Sequence, residues 1–246
     1  MSFEIAERIL TTHRGAKFLK ADLHVHTPAS KDWDEHNTPE FASSNISPEQ
    51  IVKAALDADL DIIAITDHNS VEWCERIIQA AKGTKLTVLP GFELTARPGV
   101  HLLAIFSPEK PIEELNRLLI KVGIKKFGVA SEMTDEAVEN NSSDYKVIRD
   151  LREEGGLVIP AHIDLDSGIV GRLKGGDAVK EFFKKTSCTI LEVKKQIPDV
   201  ISAELRTDPT KYAIISGSDA HQLSDIGSKA IWIKMDMPNC EPTAHG

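Results

Sequence analysis

Ala21-Asp-Leu-His-Val-His-Thr-Pro-Ala-Ser30 closes an apolar run with two histidines two residues apart. Side chains alternate between the faces of a strand, so His24 and His26 share one face, as two ligands of one metal must. Asp67-His68, Glu93, His101, His162 and Asp219-Ala220-His221 lie far apart in sequence, yet most of them end a similar apolar run. The pattern is that of one site assembled from strand ends.

Outward from this stretch the chain alternates strands and helices. Phe18 to Val25 is the first strand, and Ala29 to Ser47, with Pro39, is a polar loop. Ser47-Pro48-Glu49-Gln50 starts a helix, with Ser at the N-cap and Pro in the first helical position. Ile62-Ile-Ala-Ile65 is continuously apolar, as a strand covered on both faces requires. Asn69 or Ser70 caps a helix to about Ala81, and Leu86 to Leu94 is a third strand interrupted at Pro90-Gly91. Between Thr95 and Gly99 only a tight turn fits, whereas a parallel crossover needs about a dozen residues. Val100 to Phe106 therefore returns as a hairpin, which sets His101 beside Glu93. Pro111 opens a further helix, and Asp144 caps another that ends at Gly155-Gly156. Leu157 to Ala161 is a strand delivering His162, and Asp164 to Gly176 reads as a glycine-rich mobile loop. Helices over 177–185 and 200–206 and strands over 189–193 and 212–216 complete seven strands. The expected fold is α/β, a distorted seven-stranded (β/α)7 TIM-like barrel. It forms a single domain over residues 1–246, with a lead at 1–17 and a tail at 236–246. Active sites of such barrels sit at the C-terminal strand ends, where the histidines and acids fall.

At 246 residues and 41% hydrophobic, the chain can bury a full core. It has no apolar signal segment and no membrane-length apolar run, so a cytoplasmic location with no membrane partner is expected. Cys74, Cys188 and Cys240 form no CxxC pair and suggest neither disulfides nor a thiolate metal site. The net charge of −9 argues against a general nucleic-acid surface but not against a nucleotide in a pocket. Several of those charges belong to the candidate ligands, and divalent ions would invert the local field.

Six ordered motifs carry a family resemblance: Asp22-Leu-His-Val-His-Thr27, Thr66-Asp-His68, Gly91-Phe-Glu93, Val100-His-Leu-Leu103, Pro160-Ala-His162 and Gly217-Ser-Asp-Ala-His221. The chain resembles the PHP (polymerase and histidinol phosphatase) superfamily of metal-dependent phosphoesterases. The resemblance implies a distorted barrel of the PHP type holding two to three divalent ions: manganese, zinc or iron, with magnesium as a further choice. It implies that His24, His26, Glu93 and Asp219 hold one ion, that Glu93 bridges to a second held by His101 and His162, and that His68 and His221 hold a third. For the remaining third-ion ligand, Asp32 has the right spacing, with Asp34 and His36 as rivals. The runs 20–33 and 231–235 look like the N-terminal portion of larger proteins joined to an ATPase of the SMC/ABC type, which are linked to DNA repair or phage defence. No GxxxxGK[ST] occurs here, so an ATPase would be a separate domain or partner.

Imidazoles and carboxylates suit borderline divalent ions, and a shared carboxylate holds two ions about 3.5–4 Å apart, the arrangement that clamps a phosphoryl transfer. The expected activity is hydrolysis of a phosphate ester of a nucleotide or nucleic-acid end by a metal-bridging hydroxide, with Asp67, Glu93 and His221 as catalytic residues. Asp67 fits either a ligand or a group that orients one. A phosphorylated small molecule is a further substrate class, and a non-catalytic module serving a partner ATPase is the alternative. Lys194, Arg172 and Arg97 are the candidate phosphate contacts, with Lys174 beside them. His13 and His245 lie in polar end segments and read as surface residues.

Overall fold

The computed structural model describes residues 17–33, 46–135 and 145–235. Among these are eight strands: β1 (Lys17–Val25), β2 (Ile62–Ile65), β3 (Thr87–Ala96), β4 (Val100–Ile105), β5 (Leu157–Pro160), β6 (Ile190–Glu192), β7 (Ala213–Ile215) and β8 (Ile231–Met235). The helices are α1 (Pro48–Asp57), α2 (Cys74–Ala81), α3 (Ile112–Lys121), α4 (Lys146–Glu153), α5 (Ile169–Arg172), α6 (Gly176–Thr186) and α7 (Asp199–Thr207).

Six strands form one sheet in the order β5-β4-β3-β2-β1-β8, and β6 pairs in parallel with β7. The two sheets join through single hydrogen bonds. Ile163 N–H donates to Glu192 O at 2.9 Å beyond β5, while Asp219 N–H donates to His24 O at 2.8 Å and His26 N–H to Ala220 O at 3.0 Å beyond β7. The result is a curled, distorted barrel. The seven expected strands are all present, and β8 is an addition: it pairs antiparallel with Lys17–Ala21 of β1. β1 thus divides its partners, its first half taking β8 and its end taking the segment that carries Asp219.

The alternation of side chains sorts two apolar layers. Leu89 of β3, Leu103 and Ile105 of β4 and Ile159 of β5 pack in an inner layer with Leu19, Ala21 and Leu23. Val88, Phe92, Leu94, Leu102 and Phe106 pack outward with the helices, the Phe92 and Phe106 rings 5.9 Å apart. Fully burying one such side chain is worth about 1.5–3 kcal/mol. A register shift between Asp22 and Val25 breaks the alternation in β1. Up to Leu23 the odd-numbered residues belong to the inner layer, whereas Val25 joins the outer one. Such bulges re-aim side chains, and here His24 and His26 turn inward.

The β3–β4 hairpin forms as expected, with Thr95 opposite His101 and Glu93 opposite Leu103. β3 runs unbroken through Pro90-Gly91, since Pro90 still accepts a hydrogen bond from Phe106 N–H at 2.9 Å. α1 begins as expected, Gln50 Oε1 accepting from Ser47 N–H at 2.8 Å. α2 starts at Cys74, later than expected, because the Asn69 side chain is engaged elsewhere: Oδ1 accepts from Thr95 N–H at 2.9 Å. The 164–176 segment, expected to be a mobile loop, contains α5. The expected Asp144 cap lies outside the described residues, as do Asp34, His36, His13, His245 and Cys240.

Candidate metal centre

Each ligand-bearing residue follows from a strand end. His24 and His26 leave β1, His68 follows β2, and Glu93 and His101 are diagonal neighbours across the hairpin. His162 follows β5, and Asp219 and His221 follow β7. His162 and Asp219 both have positive φ, 28° and 57°, so the chain turns sharply as it presents them.

Glu93 is at the centre and wholly buried. Its Oε1 lies 2.9 Å from His101 Nδ1, 2.8 Å from His162 Nε2 and 3.6 Å from His24 Nε2. Its Oε2 lies 2.8 Å from His68 Nδ1 and 3.5 Å from His26 Nε2. Asp219 Oδ1 lies 3.1 Å from His24 Nε2 and 3.3 Å from His26 Nε2. On the far side, Asp32 Oδ2 lies 3.0 Å from His68 Nε2 and 3.3 Å from His221 Nε2.

Hydrogen bonds at the rear of the rings decide which nitrogens face this cluster with a lone pair. His24 Nδ1 lies 2.9 and 3.1 Å from the two oxygens of Glu192. Burial favours the neutral acid, but the His24 charge outweighs it and holds Glu192 down at about 2, so its carboxylate is an acceptor only. His24 Nδ1 therefore carries the proton and Nε2 is bare. His26 Nδ1 lies 2.9 Å from Ser30 Oγ, whose own hydrogen goes to Asp67 Oδ1 at 2.8 Å, so His26 Nε2 is bare as well. His221 Nδ1 donates to the Asp219 carbonyl at 3.0 Å, which leaves its Nε2 toward Asp32.

With both rings neutral, the form that metal ligation needs, His24 Nε2 and His26 Nε2 face each other at 3.2 Å as two lone pairs, with Asp219 Oδ1 as a third acceptor. Three such acceptors at this spacing attract a cation, either the proton that charges His24 or a metal ion that displaces it. Atoms about 2.0–2.2 Å from a tetrahedral ion lie roughly 3.3–3.6 Å apart, close to the 3.1–3.6 Å found for His24, His26, Asp219 and Glu93. A second observation agrees. Among the described residues, the buried side-chain polar atoms that make no well-directed hydrogen bond are Asp32 Oδ1, His68 Nδ1, Glu93 Oε2 and His221 Nε2, all in this cluster, although His68 Nδ1 lies 2.8 Å from Glu93 Oε2 and His221 Nε2 3.3 Å from Asp32 Oδ2. Buried polar groups are otherwise paired, so such a set marks an ion site. The residues present fit divalent metal ions.

The electrostatics point the same way. Burial alone would lower the His24 and His68 pKa values, but the carboxylates prevail: Glu192, Asp219 and Glu93 hold His24 well above its ordinary value. Glu93 and Asp32 push His68 up to about 10. His26, buried and flanked by His68, falls to about 3. The cluster is an anionic pocket that demands positive charge.

Of the expected residues, His24, His26, Asp32, His68, Glu93, His101, His162, Asp219 and His221 all meet here. Asp67, expected as a catalytic residue and as either a ligand or a group that orients one, takes up Thr27 N–H at 2.7 Å, the Thr27 hydroxyl at 2.7 Å and the Ser30 hydroxyl, the arrangement of an orienting group. It acts on His26 through Ser30, and burial raises its pKa to about 6 against these hydrogen bonds. Lys194 is nearly buried, with Nζ donating to Gly217 O at 2.7 Å and lying 3.6 Å from Asp219 Oδ2. Arg97 and Arg172 are exposed, Arg172 packing its guanidinium over Gly99, and Lys174 is exposed beside it. Glu192 was not among the expected residues. A lone carboxylate inside Ile190-Leu-Glu-Val193 was its signal, since a charge in a buried strand must be paired. No helix among the described residues is long and apolar enough to cross a membrane.

Known proteins resemble this chain in sequence or in fold. An uncharacterized protein of Methanocaldococcus jannaschii is 26% identical over 198 residues, covering 69% of this chain and 97% of its own. The lesion-specific endonuclease Q of Pyrococcus furiosus superposes with a TM-score of 0.60 at 16% identity, over 85% of this chain and 50% of that one. Endonuclease Q in complex with a 27-mer duplex carrying an abasic lesion at the active site gives 0.60 at 17%, over 84% of this chain and 50% of that one. This chain therefore spans about half the length of those endonucleases. A protein from Bifidobacterium adolescentis described as a metal-dependent phosphoesterase gives 0.55 at 19%, over 83% of this chain and 88% of that one. The PHP domain family matches residues 22–164, more than half of the sequence and most of the ligand-bearing strand ends, so the chain belongs to the PHP domain family of metal-dependent hydrolases acting on phosphate esters.

Proposed function

We propose that this chain hydrolyses a phosphate ester of a nucleotide or of a nucleic-acid end, with two to three divalent ions in the Glu93 cluster. The observation that carries the reading is the set of bare acceptors, His24 Nε2, His26 Nε2 and Asp219 Oδ1, converging beside Glu93. His24, His26, Glu93 and Asp219 would hold one ion, Glu93, His101 and His162 a second, and His68, His221 and Asp32 a third. Such ions, when bound, polarise the ester and lower the pKa of water. The chain's own groups fix the geometry: Glu192 and the Asp67–Ser30 pair hold the His24 and His26 protons at Nδ1, keeping both Nε2 atoms available. Lys194, beside Asp219, would supply a positive group for a phosphate oxygen, and Arg97 and Arg172, the latter with its guanidinium against Gly99, would serve as outer phosphate contacts. The endonuclease Q likeness supports a nucleic-acid substrate.

The test is a panel of nucleoside monophosphates, phosphodiesters and end-labelled oligonucleotides, run with manganese, iron and zinc, alongside metal analysis of the purified protein. Turnover that is lost in His26→Ala and Asp219→Ala is expected. A fully metal-loaded protein with no turnover on any member would overturn the hydrolytic reading in favour of a binding module.

A further inference from the structure

Beside the metal centre runs Lys125-Lys126-Phe127-Gly128, a stretch that the ligand set does not use. Phe127 is 41% exposed, and Lys125, Lys126 and the neighbouring Lys31 are exposed too. An aromatic side chain and three cations at one exposed place, Lys125 also lying 3.5 Å from Asp135 Oδ1, stand out on a chain of net charge −9.

The segment is held firmly to the loops that deliver ligands. Lys31 N–H donates to Gly128 O at 2.9 Å, and Lys31 immediately precedes Asp32. Gly128 has φ +70°, and a Cβ there would come 2.1 Å from Ala29 O, so only glycine permits this approach. On the other side Asn69, the residue after His68, donates Nδ2 to Val129 O and Glu132 O, both at 2.9 Å. Thr95 Oγ donates to Ala130 O at 2.8 Å, and Thr134 N–H donates to Thr95 O at 3.0 Å. Two buried polar side chains and a glycine thus fix a turn whose outward residues are two lysines and a phenylalanine.

We propose that this rim is a binding subsite for the unpaired part of a nucleic-acid strand, with Phe127 stacking on a base and Lys31, Lys125 and Lys126 taking backbone phosphates. Stacking on an exposed aromatic tolerates any base, and flanking cations track the phosphates, which is how single strands are bound without sequence preference. The rim is bonded to Lys31, the residue before Asp32, so a strand lying on it would sit next to the loop that carries a candidate ligand. The inference rests on the phosphate-ester reading for its place in a reaction, but its binding step is measurable without turnover.

Fluorescence anisotropy with a labelled 15-nucleotide oligothymidylate, the matching oligouridylate and a blunt duplex tests it on the full chain, with ester hydrolysis followed in parallel. Single strands should bind more tightly than the duplex, and the two oligonucleotides separate a DNA from an RNA preference. Phe127→Ala should weaken single-strand binding about tenfold. Lys125→Ala/Lys126→Ala should reduce the slope of log affinity against log salt by about 1.4, at roughly 0.7 per single-strand phosphate contact. Lys53→Ala/Lys82→Ala, with the same charge change elsewhere on the surface, should bind as wild type. Phe127→Tyr should restore the stacking loss if the ring, and not folding, is responsible. Rim variants that bind as tightly as wild type overturn the subsite and leave the hydrolytic reading standing. Wild type that cleaves small esters yet binds no oligonucleotide overturns the subsite and the nucleic-acid substrate together. Rim-dependent binding with no ester turnover upholds the subsite and overturns the hydrolytic reading.

Discussion

Glu192 offers both carboxylate oxygens to His24 Nδ1, at 2.9 and 3.1 Å, from the opposite side of the ring to the metal cluster. The same oxygens accept His162 N–H at 2.9 Å and Gly217 N–H at 3.1 Å, so one buried carboxylate ties together the three segments that present His24, His162 and Asp219. Glu192→Gln replaces one oxygen with an NH2 that must face a backbone N–H or the His24 proton. Removing such an outer partner of a metal-bound histidine typically costs 10- to 100-fold in affinity, roughly. Manganese titration of the variant should show a loss of that order with the circular dichroism spectrum unchanged. Wild-type affinity in Glu192→Gln would remove Glu192 from the metal machinery.

Protons and metal compete for His68. Its folded pKa, about 10, stands above the ordinary 6.5 because Glu93 and Asp32 outweigh burial. A raised folded pKa means that, in the metal-free protein, this stabilisation is complete below about 6.5 and is lost as pH rises toward 10. Metal binding needs the ring neutral, so it gains over the same interval. Thermal melts with chelator should therefore show a falling Tm from about pH 6.5 to 10, and the upward shift caused by added manganese should widen across it. A metal-induced shift that is flat with pH would mean that His68 keeps its proton when the ions bind.

Gly217 separates local packing from general stability. A Cβ there would lie 2.7 Å from His24 Cβ and 2.8 Å from Glu192 Oε1, directly against the pair that sets the His24 tautomer. At Gly83, by contrast, φ is +81° and nothing lies within 4 Å, so alanine there meets only the left-handed backbone penalty of about 1–2 kcal/mol. Both Gly217→Ala and Gly83→Ala should lower the Tm, the first by a comparable overpacking cost of about 1–3 kcal/mol. Only Gly217→Ala should also lose metal affinity in calorimetric titration. Equal metal affinity in the two variants would show that the Glu192–His24 contact absorbs the added methyl group.

The candidate ligands were legible because most of them close an apolar run, and a period of two places His24 and His26 on one face without any tertiary information. The hairpin was equally legible, since the short 95–99 connection admits no crossover. What escaped depends on contacts distant in sequence. Glu192 reads as one acid in a strand until the fold brings His24 behind it, 168 residues away. Asn69 carries a helix-cap signature, but its side chain bridges to Val129 and Glu132 instead, so tertiary hydrogen bonds displaced the start of α2. β8, Ile231-Trp-Ile-Lys-Met235, covers only five positions with no apolar–polar alternation, too little to declare its antiparallel pairing with β1. For Asp67 the sequence carried both a ligand and an orienting role, and only the fold names the groups it serves, Thr27 and Ser30.

Asp32 is the remaining test of the third ion. Its Oδ2 reaches both His68 Nε2 and His221 Nε2, while Oδ1 is buried without a partner, a costly state for a carboxylate unless a cation completes it. The His68 and His221 charges hold its pKa far below the usual range despite burial, so it is ionised at neutral pH and ready to ligate. Asp32→Ala should release one ion while those around Glu93, which it does not touch, remain. Metal content by mass spectrometry should fall by about one ion per chain, and the affinity of the retained ions should hold within a few-fold. Asp32→Glu, which keeps the charge on a longer arm, should recover part of the lost occupancy. Unchanged metal content in Asp32→Ala would pass the third-ion role to Asp34 or His36, two and four residues further along the sequence.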